Sequence, residues 1–257
     1  MKCTPPILIA LMSLLGCDWM PGKPTAPDVD RGNPAAAQTF DALWGQYCQG
    51  CHGQNGDWGG ARPMNDPLYQ SLTTDAYLTK VTTEGIEGTL MPPFAETHGG
   101  WLSEKQIHTL VQGMRKQWHH DVPAYANAAP SLIHNPDNKG DLTRGAQAFA
   151  SYCAQCHGDD GNGGSAGSIV NDSFLALVSN QALRSTIICG RRDLGMPDFH
   201  GYVGNSTSSE RHQLPPLTDQ QVTDLVSWLA SHRVPYPGRP YPTTGNDQPG
   251  FKPSGGP

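Results

Sequence analysis

A ten-residue pattern occurs twice in this chain, as YCQGCHGQNG from Tyr47 to Gly56 and as YCAQCHGDDG from Tyr152 to Gly161. Both cysteines, the histidine and the glycine after it keep their spacing at an offset of 105 residues. The same offset relates LMPPF around Met91 to GMPDF around Met196. Between them lies a one-residue slip, where NDPLY at Asn65 pairs with NDSFL at Asn171. Correspondence sustained over so long a stretch marks a tandem duplication, so the chain must fold as two copies of one module.

Each copy must work with little aliphatic material. Only 37% of the 257 residues are hydrophobic, against 30 glycines and 23 prolines. Two small modules that each bury a bulky prosthetic group suit this composition better than one large core, because the group supplies the missing apolar area. The formal charge of -6 leaves no basic footprint for nucleic acid.

The local signals are helical. Ser103-Glu104-Lys105-Gln106 and Thr218-Asp219-Gln220-Gln221 both fit a capping box. Apolar residues follow at helical spacing, Ile107, Leu110, Val111 and Met114 in one copy and Val222, Leu225, Val226 and Leu229 in the other. A helical approach to the cysteines is expected over Ala35 to Tyr47 and over Thr143 to Tyr152, with loops and a short helix between each motif and its Met-Pro segment. No alternating run is long enough to predict a sheet, so the fold class is all-α. Gly145 and Trp228 of the second copy align with Phe40 and Gly113 of the first, so large and small have changed places. This predicts that the first and last helices of each module cross with one ring against one glycine.

The ends read differently. Lys2, the apolar run Ile7 to Leu15, and Leu14-Leu15-Gly16-Cys17 resemble a bacterial lipoprotein signal, with residues 1–16 removed and lipid on Cys17. The run is too short to span a bilayer. Residues 17–34 are expected to be an extended tether and 235–257 a disordered tail rich in proline and glycine.

Cys-x-x-Cys-His can be covalent c-type haem attachment, half a zinc site or a redox disulfide. A zinc site needs further ligands in each module, and the first has no third cysteine. A thioredoxin-like motif belongs beside a βαβ pattern, which is missing. Two occurrences in one frame favour haem, with Cys48 and Cys51, then Cys153 and Cys156, bonding the porphyrin and His52 and His157 turning beneath the iron. The iron then needs a sixth ligand or an open position. Met91 follows His52 by 39 residues, and Met196 follows His157 by 39. Each precedes a proline that stiffens its loop. Equal distances favour ligands over core filler. His98 and His200 are the rivals, read as surface imidazoles.

On the strength of these residues, both copies resemble class I c-type cytochrome domains, and the whole resembles a dihaem cytochrome c lipoprotein. The resemblance covers residues 35–118 and 141–234, joined by a linker at 119–140 that is expected to strap the modules together. It implies helices wrapped around each of two covalently attached haems, with one haem edge near the surface. Thioether ligation raises the potential of the iron, and two filled axial positions suit single-electron transfer. The expected role is a membrane-anchored carrier outside the cytoplasmic membrane. It would pass electrons from a quinol-oxidising complex to a terminal oxidase or soluble cytochrome, as a subunit or close partner of such redox proteins. The alternative is a dihaem oxidoreductase acting on a small molecule such as thiosulfate. Its motive is Cys189, left over once Cys3 falls in the signal, Cys17 takes lipid and four thiols hold haem; the plainer reading of Cys189 is a small buried apolar residue. Arg62, Arg191 and Arg192 are candidates for pairing with haem propionates, or for solvated surface.

Overall fold

The structure, a computed structural model, describes residues 37–87, 89–118, 121–203, 206–207 and 214–234. The signal, the tether with Cys17 and the tail lie outside the described residues.

The first module begins with α1 (Phe40–Leu43), which runs through a π-helical segment, Trp44–Cys48, into α2 (Gln49–His52). Next come α3 (Pro67–Leu72), α4 (Asp75–Glu84) and α5 (Glu104–Gln117). The second module repeats this order as α6 (Leu142–Tyr152), α7 (Ala154–His157), α8 (Asp172–Leu177), α9 (Asn180–Cys189) and α10 (Asp219–Ser231). The strands described are β1 (Tyr202–Val203) and β2 (Ser206–Thr207), paired antiparallel, so the fold is all-α as expected.

Two expectations need correction. The approach helix starts at Phe40 rather than Ala35, because Thr39 caps it by accepting from the Ala42 amide. Two helices, not one, fill the stretch before each methionine. Thr74 and Ser179 cap the ten-residue helices α4 and α9. Gly85 and Gly190 close them at φ 72° and 68°, backbone that favours glycine.

Both capping boxes form as expected. So do both crossings. A Cβ added to Gly113 would lie 2.2 Å from the Phe40 ring, and one added to Gly145 would lie 2.7 Å from the Trp228 Cβ. The rings then extend each contact: Trp44 meets Trp118 edge-on at 4.6 Å, and Phe149 stacks on Trp228 at 4.4 Å. Buried Leu110, Val111 and Met114, and Leu225, Val226 and Leu229, complete these seams.

Asp224 on α10 is 1% exposed and ties this crossing to the start of α6. It accepts from the Asp141 amide at 2.8 Å and from Arg144 Nε at 2.7 Å. Burial pushes its carboxyl up, but the Arg144 and backbone bonds outweigh that and hold it below the usual carboxylate range. A depressed folded pKa stabilises wherever the carboxylate is ionised, above about pH 4, and that contribution is lost as pH falls through the folded value. Asp224→Asn is therefore expected to cost about 1–3 kcal/mol at neutral pH. Thermal melts of the two proteins should converge below about pH 4; a gap that persists in acid would mean that the charge contributes nothing.

The linker is ordered where it is described. Tyr125 stacks on Tyr202 at 4.9 Å and donates to Asp198 at 2.6 Å. Ser131 and Leu132 supply carbonyls to Arg184 Nε and Gln181 Nε2. The turn Ala126–Ala128 packs on α3, so the strap touches both modules.

Candidate functional site

The motif helices are positioned by repeated backbone bonds. The Cys51 carbonyl accepts from Ala61 at 2.9 Å, and the Cys156 carbonyl accepts from Ala166 at 2.9 Å. Gly59 and Gly164 pass so close that an added Cβ would sit 2.1 Å from the Cys51 oxygen and 2.5 Å from the Cys156 oxygen. Each Cys-x-x-Cys-His segment is thus clamped by its own following loop, as duplication requires.

That loop also aims the imidazole. His52 Nδ1 lies 2.8 Å from the Arg62 carbonyl, and His157 Nδ1 lies 3.1 Å from the Gly167 carbonyl, ten residues on in both cases. A carbonyl only accepts, so Nδ1 must carry the proton, which leaves Nε2 as the free donor for a metal. Burial, joined by the charges of Arg62 and Arg191 and opposed by the Arg62 carbonyl, holds His52 below the usual imidazole range, so it is neutral near pH 7.

Met91 and Met196 are half-buried at the ends of matching loops. Ile86 N–H donates to the Met91 carbonyl at 3.0 Å, and Met196 exchanges two 3.0 Å bonds with Arg191. In the first module the methionine loop reaches the motif through Phe94, whose ring meets Tyr47 edge-on at 6.3 Å.

The residues present fit a covalently held haem. Cys48, Cys51, Cys153 and Cys156 are all free of disulfides. Cys51 and Cys156 are exposed and their partners half-buried, which sets one edge of each site at the surface. Burial, with the charge of Cys51, pushes the Cys48 thiol up to about 12. Arg62 Nη1 and Tyr47 Oη are buried without a hydrogen-bond partner beside His52 and Cys48, the kind of orphan that a carboxylate-bearing group would satisfy. Among the described residues no three His, Cys, Asp or Glu side chains converge on a metal site of their own.

Several residues stand elsewhere than the sequence suggested. His98 is exposed, as expected. His200 is not a surface imidazole: it packs among Tyr125 at 4.8 Å, Tyr202 at 5.2 Å and Phe199 at 5.8 Å, under the linker. The three arginines lie between the modules. Arg62 donates to Thr186 Oγ1 at 3.0 Å, Arg191 to the Gly59 carbonyl at 3.0 Å, and Arg192 to the Asn65 carbonyl at 2.9 Å. Thr186, Asp193 and Trp58 complete this junction and had no sequence signal, because each acts on a partner more than a hundred residues away.

Cys189 is 3% exposed at the end of α9. It lines an inter-module cleft of about 590 Å³ with Asp66, Tyr125, Arg192, Asp198 and Tyr202. Burial pushes its thiol up to about 12, so it is protonated at neutral pH.

The chain matches the family described as cytochrome c oxidase, cbb3-type, subunit III, over residues 35–112 and 140–229. The cbb3-type cytochrome c oxidase subunit FixPc of Rhizobium leguminosarum bv. viciae is 26% identical over 190 residues, 71% of this chain and 65% of that protein. FixP of Rhizobium meliloti is 26% identical over 186 residues, covering 69% and 61%. The cytochrome bc1 complex cytochrome c subunit of Mycobacterium tuberculosis H37Rv is 25% identical over 187 residues, covering 68% and 61%. The chain thus spans less than two thirds of the length of each of these relatives.

Proposed function

Because this chain belongs to the family of cytochrome c oxidase, cbb3-type, subunit III, and is a tandem c-type cytochrome with two covalently attached haems, we propose that it relays single electrons between a quinol-oxidising complex and a terminal oxidase or soluble cytochrome. It does so as a subunit or close partner of such a complex, held at the outer face of the cytoplasmic membrane by lipid on Cys17. Relatives named as subunits of a cbb3-type oxidase and of a bc1 complex support placing it on either side of that junction. Among the described residues no helix is long and apolar enough to cross a membrane. Lipid on Cys17 is the attachment proposed.

Cys48 and Cys51 would bond one porphyrin, and Cys153 and Cys156 the other. His52 and His157 would ligate the irons through Nε2, and Met91 and Met196 would supply the thioether ligands. Each haem, when bound, supplies a one-electron iron couple. The protein's part is to keep the donors still. The Arg62 and Gly167 carbonyls hold the imidazoles by their Nδ1 protons, so neither ring has to turn when the charge changes. The Met-Pro backbone and the closing glycines Gly85 and Gly190 hold the thioether loops.

The observation that carries this reading is the pair of imidazoles with Nδ1 committed and Nε2 free, one in each module. Haem stoichiometry tests it. Cys48→Ser with Cys51→Ser should halve the covalent haem per chain on a denaturing gel, and the same change at Cys153 and Cys156 should remove the other half. Full haem retention in either double variant would sink the assignment for that module.

A further inference from the structure

Arg191 and Asp193 belong to the second module, yet their contacts reach the first. The Arg191 backbone is paired with Met196 through two 3.0 Å hydrogen bonds. Its guanidinium forks onto Asp193 at 2.9 and 2.8 Å. From there Nη2 also donates to the carbonyl of Gly59, the residue pressed against Cys51. Asp193 accepts from the Trp58 amide at 3.3 Å, and so holds that residue at φ 61°, which a tryptophan rarely adopts. The Arg191 side chain is 15% exposed and that of Asp193 1%. A desolvated ion pair therefore sits with Met196 on one side and the Cys51–His52 segment on the other.

We propose that the Arg191–Asp193 pair is a charge-setting element shared by both haem sites, through which the second module sets the reduction potential of the haem in the first. This rests on His52 and Met91 being the axial ligands there. Reduction removes one unit of positive charge from the iron, so a nearby cation favours the ferrous form and a nearby anion the ferric form. Intact, the pair is close to neutral. Removing either member leaves the other uncompensated where solvent cannot screen it. The two losses must then act in opposite directions. Simple loosening of the junction has no reason to reverse sign with the charge removed: Arg191→Gln loses the bond to Gly59 and Asp193→Asn weakens the one to Trp58, and each only frees the same Trp58–Gly59 loop.

The test is an equilibrium spectroelectrochemical titration of the full-length protein carrying both haems. The first-module wave is assigned as the one displaced by Met91→His. At fixed applied potential, Arg191→Gln should lower the ferrous-to-ferric ratio of that haem by about fivefold or more, and Asp193→Asn should raise it by a similar factor. Arg191→Lys should stay close to the native value, and so should Lys80→Gln, whose side chain is 68% exposed in the first module. A first-module wave that moves with neither variant, or in the same direction with both, overturns the proposal. Loading of a single haem per chain, or two waves indifferent to Met91→His, overturns the ligand assignment and this inference with it.

Discussion

Met91→Ala is expected to lower the potential of one haem by on the order of 0.2 V, within the roughly 0.8 V over which axial ligands tune haem iron, while the other wave stays in place. Met196→Ala should do the same to the second haem. A thioether is a soft ligand that favours ferrous iron, and water in its place does not. The ferric sulfur-to-iron charge-transfer band should lose the component belonging to the altered module. Of the two rival histidines, His98 is exposed and His200 is packed in the aromatic cluster under the linker. A redox titration followed optically reads both effects. An undiminished band in Met91→Ala would show that another residue caps that iron and would reopen the rival histidines.

Gly145→Ala should be more damaging than the matching change in the first module, Gly113→Ala. The new Cβ would lie 2.3 Å from the Asp224 carbonyl oxygen and 2.7 Å from the Trp228 Cβ. Backbone cannot swing aside, so α6 and α10 must part, and the Asp224 bonds that join them are strained as well. The net cost should be about 2–3 kcal/mol, even after alanine's better helix propensity of about 1 kcal/mol. Gly113→Ala meets a different obstacle, the half-buried ring of Phe40 at 2.2 Å. The ring has other rotamers, but the Phe40 Cβ at 2.6 Å moves only with the four-residue helix α1, so the cost should be about 1–2 kcal/mol. Phe40→Ala should show a compensating coupling with it in a double-mutant cycle. Denaturant melts of the haem-loaded protein, followed by helical circular dichroism, give both numbers. Equal costs at the two glycines would mean that the second crossing is looser than its geometry implies.

These crossings are legible in the amino-acid sequence because a repeat can be compared with itself. The exchange of Phe40 and Gly113 for Gly145 and Trp228 conserves volume at one contact, and only touching residues must conserve volume together. The capping boxes at Ser103 and Thr218 are equally plain, since a cap involves residues three apart and needs no tertiary help. Helices α4 and α9 are harder to see. Their ends are marked by Thr74, Ser179, Gly85 and Gly190, but between the caps they lack the broad apolar stripe of α5 and α10. The role of the His52 and His157 Nδ1 atoms is invisible in the sequence too, because the acceptors are backbone carbonyls, which any residue supplies.

Sequence alone determined that there are two modules, that each is helical, that each bears two thiols and an imidazole followed 39 residues later by a methionine, and which helices cross. All of these rest on short spacings or on comparing one copy with the other. Tertiary structure alone decided what joins the copies: Arg62 on Thr186, Arg191 and Asp193 on Gly59 and Trp58, and the linker tyrosine on Asp198. A junction between duplicated modules has no counterpart inside either copy. Its charges therefore follow no repeat, and they meet only when the folded backbones bring them within hydrogen-bonding distance.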